Sequence, residues 1–264
     1  MGRVLAISSH VVRGHVGLAA TVPALQALGH EAWALPTVVL ASRPGLGRMV
    51  RHELPASDLA AVLAALEADG CWQSLDAVFT GYFASPASAL VAAQAIAGIK
   101  AARPGLPVLV DPILGDAGRL YIAQATAEAI RDTLIPLATI ATPNLFELAW
   151  LTGETFRGLD DMARAAERLG PAVVAVTSAS ETAASLATLL VAGGARIARS
   201  TPRRAGIPNG AGDLFAGLLL GHLLRAHRPE AALDASLAAL ERVLAASAGR
   251  DVLDLAALGG VAPA

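Results

Sequence analysis

Val4-Leu5-Ala6-Ile7-Ser8-Ser9-His10-Val11-Val12-Arg13-Gly14-His15-Val16-Gly17 is the stretch from which the fold is read. A brief apolar run, 4–7, breaks into polar residues and a glycine-rich turn, and an apolar helical pattern over 16–28 follows. Strands buried on both faces are short and continuously apolar, whereas half-buried strands alternate apolar with polar residues. The segment therefore predicts a buried strand that feeds a helix through a turn. The same unit recurs: strands at 32–35, 77–80, 108–110, 139–141 and 173–177 alternate with helices at 57–68, 86–102, 126–134, 144–151 and 160–169. Ser57 and Ser85 read as N-caps, with Pro86 at a first helical position. Gly193-Gly194 joins two further strand candidates, 187–191 and 196–199, as a hairpin, and helices at 211–225 and 229–246 follow. This pattern predicts an α/β fold with a mostly parallel central sheet covered by helices on both faces.

Composition narrows the function. The chain has 264 residues, 55% of them hydrophobic and 16% charged, with a mean hydropathy of +0.55. The longest uncharged stretch, 77–99, is interrupted by Gly81, Pro86 and Gly98, so no membrane-spanning helix is expected. The first apolar run is too short for a secretory leader, and Cys71 is the single cysteine, so the expected location is cytoplasmic. A net charge of −2 without a basic run argues against nucleic acid and anionic membranes, and favours a small-molecule partner. No shift in composition marks a linker, and residues 1–264 read as one domain. Lys100 is the only lysine, which excludes mechanisms needing a lysine in a phosphate loop or as a Schiff-base nucleophile unless Lys100 itself serves.

In open parallel sheets ligands sit at the carboxyl ends of the strands, so polar residues just beyond each strand carry the candidates. Pro208-Asn209-Gly210-Ala211-Gly212-Asp213 is a glycine-rich turn that opens into an apolar helix, where free amides form an anion site. Asp111-Pro112 with Gly115-Asp116, Thr142-Pro143-Asn144 with Glu147, and Thr177-Ser178 follow three of the strands. Taken singly they are turns and caps, Thr142 being an N-cap with Pro143 at the first helical position. Taken jointly they gather carboxylates for a hydrated Mg²⁺ beside an anion-binding turn, as phosphoryl transfer requires.

These segments resemble the ribokinase superfamily, and its pyridoxal kinase branch in particular. Gly210-Ala211-Gly212-Asp213 matches the superfamily's Gly-x-Gly-Asp signature, and Thr142-Pro143-Asn144-x-x-Glu147 its metal-and-nucleotide motif. Ser9-His10-Val11-Val12-Arg13-Gly14-His15-Val16-Gly17, Thr80-Gly81-Tyr82 and Asp111-Pro112-Ile113-Leu114-Gly115-Asp116 are similar to pyridoxal kinase segments, in the family's order along almost the whole chain.

The resemblance implies a ribokinase-like fold and ATP-dependent phosphorylation of the 5′-hydroxyl of pyridoxal, with pyridoxamine and pyridoxine as related substrates. It implies Asp213 as general base, with Gly210, Ala211 and Gly212 amides on the transferring phosphoryl group. Asp111 and Glu147 would hold Mg²⁺, and Asp111, Thr142, Asn144, Glu147, Thr177, Ser178, Ile207 and Pro208 would form the ATP site. Ser9, Val38, Leu40, Pro44 and Tyr82, with Asp213, would contact the vitamer. It also implies a homodimer, and leaves a monovalent-cation requirement open. Hydroxymethylpyrimidine phosphorylation, and vitamer binding with weakened catalysis, are the alternatives. The sequence departs from the family at Ala41-Ser42-Arg43-Pro44-Gly45, where many members read Ser-Asn-His-Thr, and at Leu18, where asparagine is usual. The short loop 116–121 implies a small lid that carries Tyr121.

Overall fold

The computed structural model describes residues 1–43, 45–48 and 50–260, so the expected substrate contact Pro44 lies outside the described residues. Apolar runs bounded by breakers become the strands β1 (Arg3–Arg13), β2 (Glu31–Ser42), β3 (Arg51–Glu53), β4 (Ala77–Thr80), β5 (Val108–Val110), β6 (Gly115–Asp116), β7 (Arg119–Leu120), β8 (Ile140–Ala141), β9 (Val173–Glu181), β10 (Ser185–Ala192) and β11 (Ala195–Pro202). Nine of them form one sheet in the order β11-β10-β9-β8-β5-β4-β1-β2-β3, while β6 and β7 pair apart as a small hairpin. From β2 to β9 the sheet is parallel; β3 on one edge and β10–β11 on the other run antiparallel. The connecting helices are α1 (Leu18–Ala27), α2 (Ala56–Ala68), α3 (Pro86–Ala102), α4 (Gln124–Ala129), α5 (Leu145–Thr152), α6 (Leu159–Leu169), α7 (Ala211–Leu224) and α8 (Pro229–Ala246).

Both faces of the sheet are buried, as continuous apolar strands require. On β1, Leu5 and Ile7 point to one side, where they pack with Leu59 and Leu63 of α2 and Ile96 and Ile99 of α3. Val4 and Ala6 point to the other, with Leu25 of α1, Phe215 and Leu219 of α7 and Leu233 of α8. Each fully buried leucine or isoleucine contributes about 1.5–3 kcal/mol, so this double layer is the main source of stability. The alanine richness has a packing purpose. A Cβ added at Gly217 of α7 would lie 3.0 Å from Ala24 and 3.1 Å from the Thr21 backbone of α1, so only small residues let these two helices approach. At their shared end the Thr21 hydroxyl donates to the Asp213 carbonyl (3.2 Å) and fixes where α7 begins.

Several boundaries differ from the sequence reading. β1 and β2 run well beyond 4–7 and 32–35 because a register shift at Ser8/Ser9 absorbs the polar pair and returns Val11 and Val38 to buried positions. α1 starts at Leu18 rather than 16, since Gly17 has φ 57° and cannot be helical. α2 starts at Ala56 after Pro55, and the Ser57 hydroxyl faces Asp58 instead of capping. The helix expected over 126–134 is α4 followed by a widened turn, Ile130–Leu134, ahead of Pro136, which lacks the amide that a regular turn needs. Ser85 does cap α3, accepting from the Ser88 amide at 3.3 Å. Among the described residues no helix is long and apolar enough to cross a membrane.

The end of α7 carries a histidine pair that no sequence motif marks. The His227 amide donates to the His222 carbonyl (3.3 Å) and the Ala226 amide to the Leu223 carbonyl (3.0 Å), with Ala226 left-handed at φ 60°. This is the Schellman closure of a helix, in which an apolar side-chain pair usually packs across the last turn. Here the pair is two imidazoles, stacked at 5.2 Å. His222 is 5% exposed and neither ring nitrogen has a partner. Burial, reinforced by His227, Arg225, His30 and Arg242, pushes its pKa down to about 4. Below the ordinary imidazole value of 6.5 the unfolded chain thus binds the proton that the folded one refuses. Stability should fall between pH 6.5 and 4, by up to about 3 kcal/mol from this group. Urea unfolding at pH 7 and 4.5 is expected to show a smaller loss for His222→Leu than for the natural chain.

Candidate active site

The carboxyl ends of the parallel strands bring the candidate residues into one row. The Asp111 amide donates to the Thr80 carbonyl (2.9 Å), the Thr142 amide to the Val110 carbonyl (3.2 Å) and the Thr177 amide to the Pro143 carbonyl (2.9 Å). Asn144 and Thr177 form a further bridge. These bonds continue the sheet past the point where side chains become polar. Thr142 is buried, and its hydroxyl donates to Asp111 Oδ1 at 3.0 Å. The cap role read for Thr142 falls instead to Asn144, whose side chain accepts from the Glu147 amide (2.9 Å) while Glu147 Oε2 accepts from the Asn144 amide (2.8 Å). That reciprocal capping box leaves the Thr142 hydroxyl for Asp111. Ser178 follows with a left-handed backbone, φ 49°, which for a non-glycine residue costs about 1 kcal/mol or more.

Glu147 also fastens the small hairpin. Its Oε1 accepts from the amides of Leu114 (2.8 Å) and Gly115 (3.4 Å), and Asn144 Nδ2 donates to the Gly115 carbonyl (2.8 Å). The root of β6–β7 is thereby tied to the start of α5, while Tyr121 beyond it is 56% exposed. The loop from which a small lid is expected is thus a short hairpin with an exposed tip.

Across the sheet, the turn 208–213 meets the turn between β1 and α1. Gly210 has φ 113° and stands at the N-cap of α7 without a side chain to cap it. A Cβ on Gly210 would lie 1.8 Å from the His15 carbonyl oxygen, and one on Gly17 would lie 2.2 Å from that of Ser9. Asp213 is half-buried, and its Oδ1 is fully buried with no hydrogen-bond partner. Burial raises its pKa to about 6, with the backbone amides of Gly17 and Asp213 itself opposing the rise. Glu147 is raised to about 7 by burial, against the amides of Asn144, Leu114 and Gly115. Asp111 lies well above the ordinary carboxylate range because of burial first, then the charges of Glu147 and Asp213, with the Thr142 hydroxyl opposing.

Asp111, whose ionisation the charges of Glu147 and Asp213 both oppose, and these two neighbours are the kind of oxygen ligand that a hard divalent cation takes. Among the described residues no group of three His, Cys, Asp or Glu side chains is placed to hold a metal alone. The chemistry of the donor set, carboxylate oxygens alone, is that of an ion such as Mg²⁺, which takes one or two protein carboxylates and fills its remaining positions with water and phosphate oxygens.

Around the bulge of β1, Ser9 is buried and pairs directly with Val38 in the register of β1 and β2. The Tyr82 amide donates to Ser8 Oγ (3.0 Å), and its carbonyl accepts from Thr37 Oγ1 (2.7 Å). Ser9, Val38 and Tyr82 are thus brought together, whereas Leu40 lies two residues further along β2, opposite Val11 and Arg51. Ile207 lines a cleft of about 410 Å³ with Ala183 and residues 203–206, and Pro208 is buried beside it. Leu18, in place of the family asparagine, is buried against the α1–α7 layer. Lys100 is spent on the Leu137 carbonyl (2.8 Å). The sequence reading missed Ser8, Thr37 and Gly17, whose roles arise from contacts across strands and turns. The Asn144-x-x-Glu147 spacing was the legible sign of the capping box.

A parallel sheet that gathers buried carboxylates beside the glycine-opened start of a helix defines a small-molecule kinase. The family profile for phosphomethylpyrimidine kinase matches residues 13–251. Pyridoxal kinase PdxY of Granulibacter bethesdensis is 37% identical over 84% of this chain and 81% of its own. Among solved structures, pyridoxal kinase from Entamoeba histolytica superposes with a TM-score of 0.91 at 25% identity, covering 100% of this chain and 98% of that one. Pyridoxal kinase from Leishmania donovani in complex with ADP and pyridoxine superposes with a TM-score of 0.87 at 27% identity, covering 98% and 92%. The chain belongs to the phosphomethylpyrimidine kinase family, in its pyridoxal kinase branch, and is a kinase with the ribokinase-like fold.

The contact between the two turns can be tested directly. Gly210→Ala must displace the His15 carbonyl and is expected to lower kcat by about a hundredfold, the usual penalty for a misplaced reacting group. At Gly212 nothing lies within 4 Å of an added Cβ, so Gly212→Ala should keep the natural melting temperature.

Proposed function

We propose that this kinase transfers the γ-phosphoryl group of ATP to the 5′-hydroxyl of pyridoxal, and of pyridoxine and pyridoxamine. The observation that carries this reading is the buried, unpartnered Oδ1 of Asp213 at the start of α7. A carboxylate with a pKa of about 6 is ionised at neutral pH and is a stronger proton acceptor than an exposed aspartate. Asp213 takes the proton of the hydroxymethyl group as its oxygen attacks phosphorus, and the amides of Gly210, Ala211 and Gly212 bind the phosphoryl oxygens as charge builds there. Asp111 and Glu147 would hold Mg²⁺, and the ion would neutralise charge on the nucleotide's phosphates. Thr142, Asn144, Thr177 and Ser178 face those phosphates, and the adenine lies in the cleft beside Ile207 and Pro208. Ser9, Val38, Leu40, Pro44 and Tyr82 surround the pyridine ring. The chain acts as a single domain in the cytoplasm, where ATP is at hand.

The family profile bears the name of a pyrimidine kinase, which keeps hydroxymethylpyrimidine as the second reading. Both rings are flat heteroaromatics with a primary hydroxymethyl group. Turnover of the two at equal concentration with ATP and Mg²⁺ decides between them, and we expect pyridoxal to be strongly preferred. Asp213→Ala should lose turnover by at least about 10³-fold while still binding pyridoxal, which also separates a kinase from a vitamer-binding protein.

We also propose a homodimer. Val12, Val39 and Val50 are 74%, 37% and 63% exposed. Val39 pairs with His10 on β1 and His52 on β3, and Val12 and Val50 stand two residues from those partners, so the three valines share one face of the strand extension. Sedimentation should give twice the chain mass, and Val12→Asp should shift it toward the monomer.

A further inference from the structure

His15 is absorbed by neither the substrate pocket nor the phosphate row, yet it sits where the two turns meet. Its Nδ1 lies 2.8 Å from the Leu253 carbonyl oxygen. A carbonyl only accepts, so this nitrogen carries the proton. The His15 carbonyl oxygen occupies the space that a Cβ on Gly210 would need, and two residues later the Gly17 amide faces the Asp213 carboxylate. Leu253 is itself held. Its side chain is 1% exposed among Leu214, Leu218 and Val243, and the neighbouring Asp254 amide donates to Ser247 Oγ at 2.8 Å. Asp251, in the same segment, accepts from Arg43 Nε (2.8 Å) and Nη2 (2.6 Å) through its carbonyl. The segment after α8 thus touches the β1–α1 turn, the end of β2 and the start of α7.

We propose that His15 is a positioning residue: its ring bond to Leu253 sets the distance between the β1–α1 turn and the Gly210 turn, and with it the placement of the phosphoryl-binding amides and Asp213. The inference rests on Asp213 and the Gly210 turn being the reacting centre. A turn with four residues, two of them glycine, has little stiffness of its own. Without the ring bond, residue 15 keeps its contact with Gly210, which resists approach but not withdrawal, and the nearest attachments left are those of Gly17 to His10 and Asp213. A shift of 1 Å in such a group costs up to about a hundredfold in rate, with little effect on ground-state binding.

The test uses a geometric difference between two amides. The Asn side chain places its NH₂ where imidazole Nδ1 lies, and Gln places it where Nε2 lies. In the full chain, His15→Ala and His15→Gln are expected to lower kcat by about tenfold or more, with KM for ATP and for pyridoxal within about threefold of natural values. His15→Asn should recover kcat to within about threefold, with the melting temperatures of all three variants alike. Undiminished kcat in His15→Ala would overturn the proposal, as would His15→Asn performing no better than His15→Gln, or kcat losses that follow melting temperature. Failure of the underlying reading appears elsewhere, as surviving turnover in Asp213→Ala, and is distinguishable because the His15 series does not depend on that measurement.

Discussion

The site is organised by a close approach between two pieces of backbone. The His15 carbonyl can rest against residue 210 only because that residue has no Cβ, and the Ser9 carbonyl stands against Gly17 on the same terms. Both glycines have positive φ, so steric room and backbone conformation demand the same residue twice over. Everything on the reacting side follows from this contact. The first turn of α7 cannot move independently of the end of β1, and β1 is the strand on which both helical layers converge. The apolar bulk of the molecule is therefore connected to the reacting centre through two positions that carry no side chain.

The electrostatics follow from the same architecture. A sheet covered on both faces offers polar residues no place except its strand ends, which concentrates Asp111, Glu147 and Asp213 in poorly hydrated surroundings. Glu147 tolerates this because both of its oxygens accept backbone amides, and Asp111 has the Thr142 hydroxyl. Asp213 has the amides of Gly17 and of its own residue, and keeps one buried oxygen unpartnered. That open oxygen is local stability given up where a reacting group has to accept a proton. High apolar content is the condition that keeps these groups dry.

Much of this was legible in the sequence, for identifiable reasons. The strands 77–80 and 108–110 were bounded correctly because they are short, wholly apolar and flanked by breakers. The row from Asp111 to Thr177 was found because carboxyl-end residues directly follow such strands. Gly193-Gly194 marked the β10–β11 hairpin, and both glycines are left-handed there. Less local features escaped. β1 passes through Ser8-Ser9-His10, which reads as a strand end until a bulge and the neighbouring β2 are known. β3 is three exposed residues stabilised only by pairing. Thr37, Ser8 and Gly17 act through partners 45, 74 and 196 residues away, the last being the separation of 17 from 213, and no spacing rule spans such distances.

The fastening of the β6–β7 hairpin has a kinetic side. Because Glu147 and Asn144 hold the root of β6–β7 through Leu114, Gly115 and the Gly115 carbonyl, swinging the hairpin as a whole would strip several buried groups of their partners at once. Movement is left to the tip, residues 116–121. Displacements of so few residues belong to the nanosecond-to-microsecond regime of loops, far faster than the turnover of ordinary enzymes. Motion of this tip is thus too fast to set the pace of an ordinary enzyme's turnover.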